Sequence, residues 1–327
     1  MMKSFKDKRV LITGGAGFIG SSIATALVKY GARVTIVDAM LPLYGGNLFN
    51  LKEIEDSIEF IHGDIRDEEL IATLVKDKDI IYNFAAQVSH LDSKDHPLLD
   101  LDINCRGHLI ILEAVRKHAP QARILFSSSR MVYGKILHTP ADENHPTKPL
   151  TIYGIHKLLA EMYYRYYFET FNIDTVTVRI PTPYGPRQHM KHSKYSVAGW
   201  FLRQSLNGEV IKIFGDGTQS RDYIYIDDVV DAFLRLGMGG RSGEAYNLGT
   251  DERTRLVDMV DAILIETQSG SKELVPYPEN YIVANFGDYI ANYNKIRNDV
   301  SWEPKVNLRE GTKRTVEYYK KYRNYYW

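Results

Sequence analysis

Three side chains in the middle of the sequence have the types and spacing needed to remove a proton from an alcohol. Tyr153 and Lys157 are spaced i, i+4 at the start of a predicted helix, so they lie on one helix face. A tyrosine with a pKa of about 10 is a poor base at neutral pH, but a neighbouring ammonium favours the phenolate. Ser129 follows a predicted strand and could share the alcohol proton with that phenolate. A surface Tyr–Lys pair has the same spacing, so these residues are candidates that need support from the rest of the chain.

A glycine-rich loop near the N-terminus predicts a dinucleotide site. The segment Thr13–Gly20 contains Gly-x-Gly-x-x-Gly at Gly15, Gly17 and Gly20, between a predicted strand and a predicted helix. Glycine allows positive φ and close approach of the backbone, and a pyrophosphate bound there faces the positive end of the helix. Asp38 ends the next predicted strand, where a carboxylate bonds the adenosine ribose and repels a 2′-phosphate. The pattern therefore predicts NAD rather than NADP.

These side chains need a scaffold in which strands and helices alternate. Such alternation indicates βαβ units, and hence a doubly wound parallel α/β sheet with helices on both faces. Beyond residue 180 the alternation of strands and helices becomes less regular, and prolines and glycines cluster. This change predicts a smaller C-terminal α/β substrate domain. We expect domains at 1–180 and 181–327, with segments near 222–250 returning to the first. The predicted strands are Arg9–Thr13, Arg33–Val37, Ile58–Ile61, Ile80–Phe84 and Arg123–Phe126, and the predicted helices include Phe18–Tyr30 and Leu101–His118.

The composition excludes several other classes of protein. The 327 residues are 44% hydrophobic and 25% charged with no net charge, so no global charge attracts nucleic acid or an anionic membrane. The single cysteine, Cys105, excludes an internal disulfide and a multi-cysteine metal site, and the histidines show no metal pattern. The apolar run near the first residues is shorter than a signal peptide requires, and no stretch reaches the about 20 apolar residues that a membrane span needs. We therefore expect a cytoplasmic protein without metal, nucleic-acid or membrane partners.

Taken in order, the motifs resemble those of the extended short-chain dehydrogenase/reductase family, in its branch of nucleotide-sugar epimerases and dehydratases, which includes UDP-glucose 4-epimerase. The resemblance implies a Rossmann domain followed by a nucleotide-sugar domain, NAD as cofactor, a nucleotide-sugar substrate and a homodimer. The matching segments run through nearly the whole chain: TGGAGFIG, VDAM, GDIRD, NFAAQVSH, FSSSRMVYG, YGIHK, YGPRQ, FGDGTQSRDYIYIDDVVDAF, YNLG and WEPKVNLREGTKRTVEYY.

The resemblance also implies roles for individual residues. Ser129, Tyr153 and Lys157 match the family's catalytic serine or threonine, tyrosine and lysine, with Tyr153 as general base and Lys157 lowering its pKa and holding the nicotinamide ribose. Arg221 matches the arginine that binds the diphosphate. The implied NAD contacts are Gly14, Gly17, Phe18, Ile19, Gly20, Asp38, Asp64, Ile65, Ala85, Tyr153 and Lys157. The implied substrate contacts are Ser89, Arg130, Thr182, Arg221 and Asp288.

The residues that follow Ser129 separate the reactions of this branch. The dehydratases carry Asp-Glu there to eliminate water, whereas this chain has Arg130 and Met131, which cannot replace a carboxylic acid/base pair. A nucleotide-sugar 4,6-dehydratase is therefore disfavoured, and Asp38 opposes the NADPH that a 4-ketoreductase uses. A UDP-glucuronate decarboxylase stays open, because an oxidised β-keto acid loses CO₂ without an added acid. Arg130 could hold a sugar carboxylate or hydroxyl, or be a buried structural arginine.

The best interpretation of the sequence is an NAD-dependent nucleotide-sugar epimerase. In this family the reaction at C4 passes through a transient 4-keto-sugar, to which hydride returns on the opposite face. The alternative from another class is a non-catalytic NAD-binding regulatory protein on the same fold. Such proteins commonly lose the tyrosine or the lysine, and this chain keeps both.

Two positions depart from the family's substrate pattern and leave the base and the sugar open. Thr182 stands where the family often has an asparagine, and Asn285 stands where many 4-epimerases carry a second diphosphate arginine. The nearby Lys191 and Lys194 could supply replacement charge or belong to a solvated basic loop.

Overall fold

The computed structural model of the chain describes residues 5–42, 44–277 and 287–327 and contains alternating strands and helices. In these residues the strands are β1 (Arg9–Thr13), β2 (Arg33–Asp38), β3 (Ile58–His62), β4 (Ile80–Asn83), β5 (Arg123–Ser129), β6 (Thr175–Ile180), β7 (Thr182–Tyr184), β8 (Val210–Phe214), β9 (Ser220–Arg221), β10 (Tyr223–Tyr225), β11 (Ala245–Asn247), β12 (Thr254–Arg255) and β13 (Ser271–Val275). The helices are α1 (Phe18–Lys29), α2 (Glu68–Leu74), α3 (His90–Asp95), α4 (Pro97–Leu101), α5 (Gly107–His118), α6 (Ile152–Phe171), α7 (Val197–Leu206), α8 (Ile226–Gly239), α9 (Leu256–Thr267), α10 (Asn294–Val300) and α11 (Leu308–Tyr322).

Seven strands form one parallel sheet in the order β11-β6-β5-β4-β1-β2-β3. The run β3-β2-β1-β4-β5-β6 is the strand order of a Rossmann fold. The order reverses between β1 and β4, and in such sheets ligands bind in the crevice at the carboxyl ends of the strands on either side of that point. The predicted α/β fold with a doubly wound parallel sheet is therefore confirmed.

Apolar side chains are buried on both faces of this sheet. Along β1, Val10 and Ile12 belong to the layer that contains α1 and α8, whereas Leu11 belongs to the layer that contains α2 and α5. Neighbouring residues of a strand point to opposite faces, so a strand covered on both sides is apolar at most positions. This is why the central strands are continuous apolar runs in the sequence.

Two elements differ substantially from their predicted bounds, whereas α1, β2, β3 and β4 each differ by one residue. Strand β5 was expected to end at Phe126 but continues to Ser129, because its last residues pair with the neighbouring strand β6. The helix predicted over Leu101–His118 is interrupted by a π-helical turn at Asp102–Arg106, between α4 and α5.

The residues after 180 contribute to two parts of the structure. Strand β11 pairs with β6 at the edge of the main sheet, and α8 packs against α1. The remaining strands form the pairs β7–β10, β9–β12 and β8–β13, while α9 packs against α7 and α11. The placement of a domain boundary at residue 180 stays a prediction.

No helix in the described ranges combines the length and hydropathy needed to cross a lipid bilayer. Within the same ranges, no group of three or more histidine, cysteine, aspartate or glutamate side chains could hold a metal ion.

Candidate active site

The loop between β1 and α1 forms a narrow backbone cradle. Gly14 has a φ of 65°, and its N–H donates to the Val37 carbonyl at 2.9 Å. A Cβ at Gly14 would lie 2.7 Å from the backbone nitrogen of Ala85, so only glycine fits there. Gly17 is the N-cap of α1 and provides no side-chain cap, so the positive end of this helix suits a pyrophosphate. The predicted contact residues Phe18, Ile19 and Gly20 form the first turn of α1.

Asp38 is held at the rim of this cradle by backbone N–H groups. Its carboxylate accepts hydrogen bonds from Ala16 at 3.0 Å and from Met40 at 2.9 Å. Burial raises the pKa of Asp38, while the two N–H groups and the nearby His62 act to lower it. A carboxylate fixed at this position suits the two hydroxyls of a ribose and is unfavourable for a 2′-phosphate.

The next predicted cofactor residues lie at the ends of β3 and β4. Arg66 donates two hydrogen bonds to the carboxylate of Asp64, at 2.9 and 2.7 Å. Burial acts to raise the pKa of Asp64, but the hydrogen bonds from Arg66 leave that pKa below its ordinary value. Ile65 is buried in the core, and the Ala85 N–H donates to the Thr13 hydroxyl at 3.2 Å. These residues line the same carboxyl-end crevice as the cradle.

The three predicted catalytic residues meet at the carboxyl end of β5. Tyr153 lies in the first turn of α6, where its side chain is hydrogen-bonded to Ser129 at the end of β5. The Lys157 ammonium lies 5.8 Å from the centre of the Tyr153 ring and donates to the Ser127 carbonyl at 3.0 Å. Thr151 caps α6 by accepting from the Gly154 N–H, so the helix starts immediately before the tyrosine. The tertiary structure thus brings together a phenol, a hydroxyl and an ammonium.

Burial is the largest cause of the pKa shifts of Tyr153 and Lys157. Burial raises the pKa of Tyr153 above its ordinary value, the hydrogen bond with Ser129 lowers it, and the charge of Asp100 raises it. Burial lowers the pKa of Lys157 to about 8, against the opposing charges of Asp100, Cys105 and Glu161. The lysine therefore stays charged below that pH, and the protein groups alone keep the tyrosine in its phenol form.

A buried hydrogen-bonded pair lies beside this site and was not anticipated from the sequence. A hydrogen bond of 2.5 Å joins Nδ1 of His156, which lies between Tyr153 and Lys157 in the sequence, to the carboxylate of Asp100 on α4. The second carboxylate oxygen of Asp100 is buried and has no hydrogen-bond partner among the described residues. The charge of Asp100 therefore acts through a poorly solvated region on both Tyr153 and Lys157.

We predict that Asp100→Asn moves the pH profile of kcat/KM to lower pH by roughly half a unit to one unit. The carboxylate raises the pKa of both Tyr153 and Lys157, so its removal lowers both values. The acidic limb, set by phenolate formation, and the alkaline limb, set by loss of the ammonium, then move in the same direction. Rates measured across the pH range test this, with Asp95→Asn on the exposed side of α3 as control. An unmoved profile in a variant that still binds NAD would contradict it.

Arg221, Arg253 and Asp288 form a charged group in the C-terminal part of the chain. Arg221 on β9 donates to the Ser220 carbonyl at 3.0 Å and to the Gln219 side chain at 2.9 Å, both neutral oxygens. Asp288 accepts from the Ser220 N–H at 2.9 Å and is ion-paired with Arg253. Arg253 was not singled out in the sequence, because it lies in a loop without a recognisable pattern.

The backbone of Thr182 and the side chain of Ser89 already form hydrogen bonds within the protein. The Thr182 N–H donates to the Asp222 carbonyl at 3.0 Å, where β7 runs beside β10. Ser89 is buried and caps α3 by accepting from the Asp92 N–H at 3.0 Å. The Lys194 ammonium lies 2.5 Å from the Asp92 carboxylate. The position of Asn285 lies outside the described residues.

Arg130 adjoins Ser129 in the sequence and is also near enough to Arg221 to feel its charge. It follows Ser129 in the turn after β5, and its guanidinium carbon is 5.6 Å from the centre of the Tyr289 ring. Burial and then the charge of Arg221 lower the pKa of Arg130 to about 10. Met131, the next residue, packs in a buried pair with Tyr153. A guanidinium and a thioether thus occupy the positions where the dehydratases carry their two carboxyl groups.

Comparison with known proteins was made for the whole chain. The profile of the NAD dependent epimerase/dehydratase family matches residues 10–249. A putative UDP-glucose 4-epimerase of Methanocaldococcus jannaschii is 34% identical over 314 residues, which cover 95% of this chain and 98% of that protein. The crystal structure of UDP-glucose 4-epimerase from Thermotoga maritima with UDP-glucose has a TM-score of 0.88 at 32% identity, covering 96% of this chain and 99% of that one. The dTDP-glucose 4,6-dehydratase of Streptomyces venezuelae with bound NAD has a TM-score of 0.89 at 27% identity, covering 97% and 98%.

The fold and the site define an enzyme of the extended short-chain dehydrogenase/reductase class. Within that class, the chain belongs to the NAD-dependent epimerase/dehydratase family, and NAD is its cofactor. Its relatives include both 4-epimerases and 4,6-dehydratases of nucleotide-sugars, so the family alone does not select between the two reactions.

Proposed function

We propose that the protein is a nucleotide-sugar epimerase acting at C4 of the sugar. The observation that carries this proposal is the pair of Met131 and Tyr153, buried against each other at the catalytic position. A 4,6-dehydratase needs an acid and a base there to remove water, and a thioether cannot transfer a proton. Arg130, which occupies the other position, has a pKa of about 10 and stays protonated at neutral pH. The site therefore has groups for reversible oxidation and lacks the carboxyl pair for elimination.

Each catalytic residue has a distinct part in the proposed reaction. Tyr153, as phenolate, takes the proton of the C4 hydroxyl, and Ser129 holds that oxygen through its own hydroxyl. Lys157 places a positive charge beside the phenolate and bonds the nicotinamide ribose. Bound NAD⁺ supplies a reversible hydride acceptor and a positively charged ring. Tyr153 returns the proton once the 4-keto-sugar has presented its other face.

The cradle residues are proposed to hold the cofactor. Gly14 and Gly17 let the backbone approach the pyrophosphate, together with the first turn of α1 at Phe18, Ile19 and Gly20. Asp38 bonds the adenosine ribose, while Asp64, Ile65 and Ala85 line the remaining length of the crevice.

The substrate contacts are proposed on the other side of the crevice. The charged fork of Arg221 suits the diphosphate, and residues 181–327 supply most of this side. Ser89, Arg130, Thr182 and Asp288 are proposed to complete the contacts to the sugar and its diphosphate.

A panel of UDP-, GDP-, CDP- and dTDP-sugars, followed by NMR and mass spectrometry, tests the proposed reaction. A C4 epimer of unchanged mass supports it. A product that has lost CO₂ identifies a decarboxylase, and one that has lost water identifies a dehydratase; either result rejects the proposal. If the NAD-loaded protein converts none of these sugars, the result favours a non-catalytic NAD-binding regulatory protein.

We also propose that the protein is a cytoplasmic homodimer that associates through α6. Ile155, Met162 and Tyr166 on this helix are exposed by 46%, 60% and 53%. Residues spaced by seven and four positions lie on one helix face, so these three form an apolar stripe. Leu98 and Leu101 of the neighbouring α4 are also exposed. A second copy covering the stripe would remove this apolar surface from water.

We predict that Met162→Arg converts the dimer to a monomer, because the substitution places an unpaired charge within the apolar stripe. Light scattering coupled to size exclusion measures the mass. Val210→Arg, another exposed apolar residue but on β8, is the matched control and should stay dimeric. A wild-type protein that runs as a monomer, or an unchanged mass for Met162→Arg, would rule out this interface.

A further inference from the structure

An aromatic segment, residues 318–327, packs against the part of the chain that follows β2. The segment covers the last turn of α11 and the turn after it, and it contains five tyrosines and one tryptophan. The Tyr325 ring stacks on that of Phe49, with ring centres 3.7 Å apart and planes within 5° of parallel. The Tyr325 carbonyl accepts a hydrogen bond from the side chain of Asn47 at 2.9 Å. These contacts join parts of the chain that are far apart in the sequence.

Tyr326 and Asn50 form the buried centre of this contact. The Tyr326 hydroxyl donates to Oδ1 of Asn50 at 2.6 Å and lies 2.6 Å from the hydroxyl of Tyr318. An amide oxygen carries no hydrogen, so the single hydroxyl proton of Tyr326 points to Asn50. The Tyr318 hydroxyl therefore donates to the Tyr326 oxygen. Two tyrosine hydroxyls in series thus hold the carbonyl end of the Asn50 amide.

The nitrogen end of the same amide reaches the cradle. Nδ2 of Asn50 donates to the Ala16 carbonyl at 2.9 Å, and the Asn47 N–H donates to the same oxygen at 3.1 Å. A carbonyl can only accept, so the Asn50 amide must keep its nitrogen towards the cradle. The Ala16 N–H in turn donates to the Asp38 carboxylate at 3.0 Å. Hydrogen bonds therefore lead from Tyr326 through Asn50 to both peptide groups of Ala16.

The cradle needs such support because its own sequence makes it flexible. Ala16 lies between Gly15 and Gly17, and glycines allow many backbone conformations. Hydrogen bonds from outside the loop fix the carbonyl of Ala16, while Asp38 fixes its N–H. A loop that is already ordered loses less conformational entropy when a ligand binds. Support of this kind raises the affinity for a ligand without touching it.

We infer that the aromatic segment holds the cradle in the conformation that binds NAD, with Tyr326 and Asn50 as positioning residues. This inference rests on the proposed placement of the NAD pyrophosphate in the cradle. Both residues act on the cofactor through the backbone of Ala16. The affinity for NAD then depends on a hydrogen bond between residues that are 276 positions apart in the sequence.

Removal of one hydroxyl tests the inference with little disturbance of the packing. Tyr326→Phe keeps the aromatic ring and should raise the dissociation constant of NAD by about 3- to 10-fold. Tyr319→Phe is the matched control, because it removes a hydroxyl of the same segment, also buried, that donates to the Gln188 carbonyl at 2.8 Å. The control should keep its NAD affinity within about twofold of wild type. Calorimetry measures the dissociation constants, and thermal unfolding measures the stability of both variants.

The two variants separate positioning from a purely structural role. If Tyr326→Phe is less stable but binds NAD as tightly as wild type, the segment serves the fold alone and the inference is overturned. Equal weakening of NAD binding by Tyr319→Phe also overturns it, because the effect would then come from general destabilisation. ADP-ribose, which keeps the adenosine and pyrophosphate of NAD, should lose the same affinity as NAD in Tyr326→Phe; unchanged binding of ADP-ribose contradicts the inference.

A double variant tests whether Tyr326 acts through Asn50. Asn50→Leu removes both hydrogen bonds at a similar side-chain volume and should weaken NAD binding by about 10-fold or more. Adding Tyr326→Phe to this variant should change the affinity little further, because the hydroxyl has lost the partner through which it acts. Losses that multiply in the double variant contradict the proposed chain of hydrogen bonds. If Asn50→Leu does not fold, the comparison of Tyr326→Phe with Tyr319→Phe still decides the question.

Asp38→Ala keeps this result distinct from the proposed cofactor placement. NAD affinity that is unchanged in Asp38→Ala means that NAD does not occupy the cradle, and both the placement and the inference then fail. If Asp38→Ala weakens NAD binding whereas Tyr326→Phe and Asn50→Leu do not, the placement stands and the inference alone fails. These measurements of binding do not depend on which sugar the enzyme converts.

Discussion

Replacement of Tyr153 by phenylalanine should lower kcat by about 10³-fold or more while NAD binding stays within about threefold of wild type. The substitution removes only the hydroxyl that is hydrogen-bonded to Ser129. The ring still packs against Met131 in the same buried pair, so the fold of the site should be kept. Neither Ser129 nor Lys157 can replace the phenolate, because a serine hydroxyl is a much weaker acid and an ammonium has no lone pair.

Turnover of the sugar identified by the panel, together with calorimetric titration of NAD, measures both parts of this expectation. Tyr163→Phe, on the same helix and only partly buried, is the matched control and should keep full activity. A phenylalanine variant with wild-type kcat would show that another group acts as the base. If both activity and NAD binding were lost, Tyr153 would support the cofactor site rather than the proton transfer.

The second large effect is expected at Gly14, where alanine should weaken NAD binding by about 100-fold or more. A Cβ there would lie 2.7 Å from the nitrogen and 2.9 Å from the Cα of Ala85, and 2.9 Å from the carbonyl carbon of Phe84. All three are backbone atoms at the end of β4, so the glycine loop has to move away from the crevice. The positive φ adds a further cost of about 1–2 kcal/mol for any residue with a side chain.

The variant Gly31→Ala separates the effect of backbone strain at positive φ from the effect of the steric clash. Gly31 has a φ of 79°, but its Cβ would meet nothing nearer than the Lys6 side chain at 3.5 Å. This control should therefore lose a similar amount of stability from backbone strain and still bind NAD. Thermal unfolding and NAD titration of both variants measure these effects. Equal NAD affinity in the two variants would mean that the close approach of Gly14 to β4 does not shape the cofactor site.

Local patterns in the sequence were sufficient to predict most strands and helices of the first half of the fold and to select the candidate catalytic residues. Strand β1 and the glycine loop were predicted with the observed bounds, and β2 with Asp38 at its end. The spacing of Tyr153 and Lys157 placed them on one helix face without knowledge of the rest of the chain. Such features are determined within a few residues by glycine conformation, apolar runs and helix periodicity, so they can be recognised in sequence.

The tertiary structure decided which distant residues meet. Asp100 contacts His156 because α4 packs against α6, and no spacing in the sequence indicates that pair. Strand β11 enters the main sheet beside β6 although many residues separate them along the chain. The charge of Arg221 acts on Arg130 for the same reason, since Arg130 follows β5 and Arg221 lies on β9, which belongs to a different sheet. The sequence by itself determined the glycine loop and the candidate catalytic motif, which depend on local geometry. Burial and long-range packing, which depend on the whole fold, decided the charges around them.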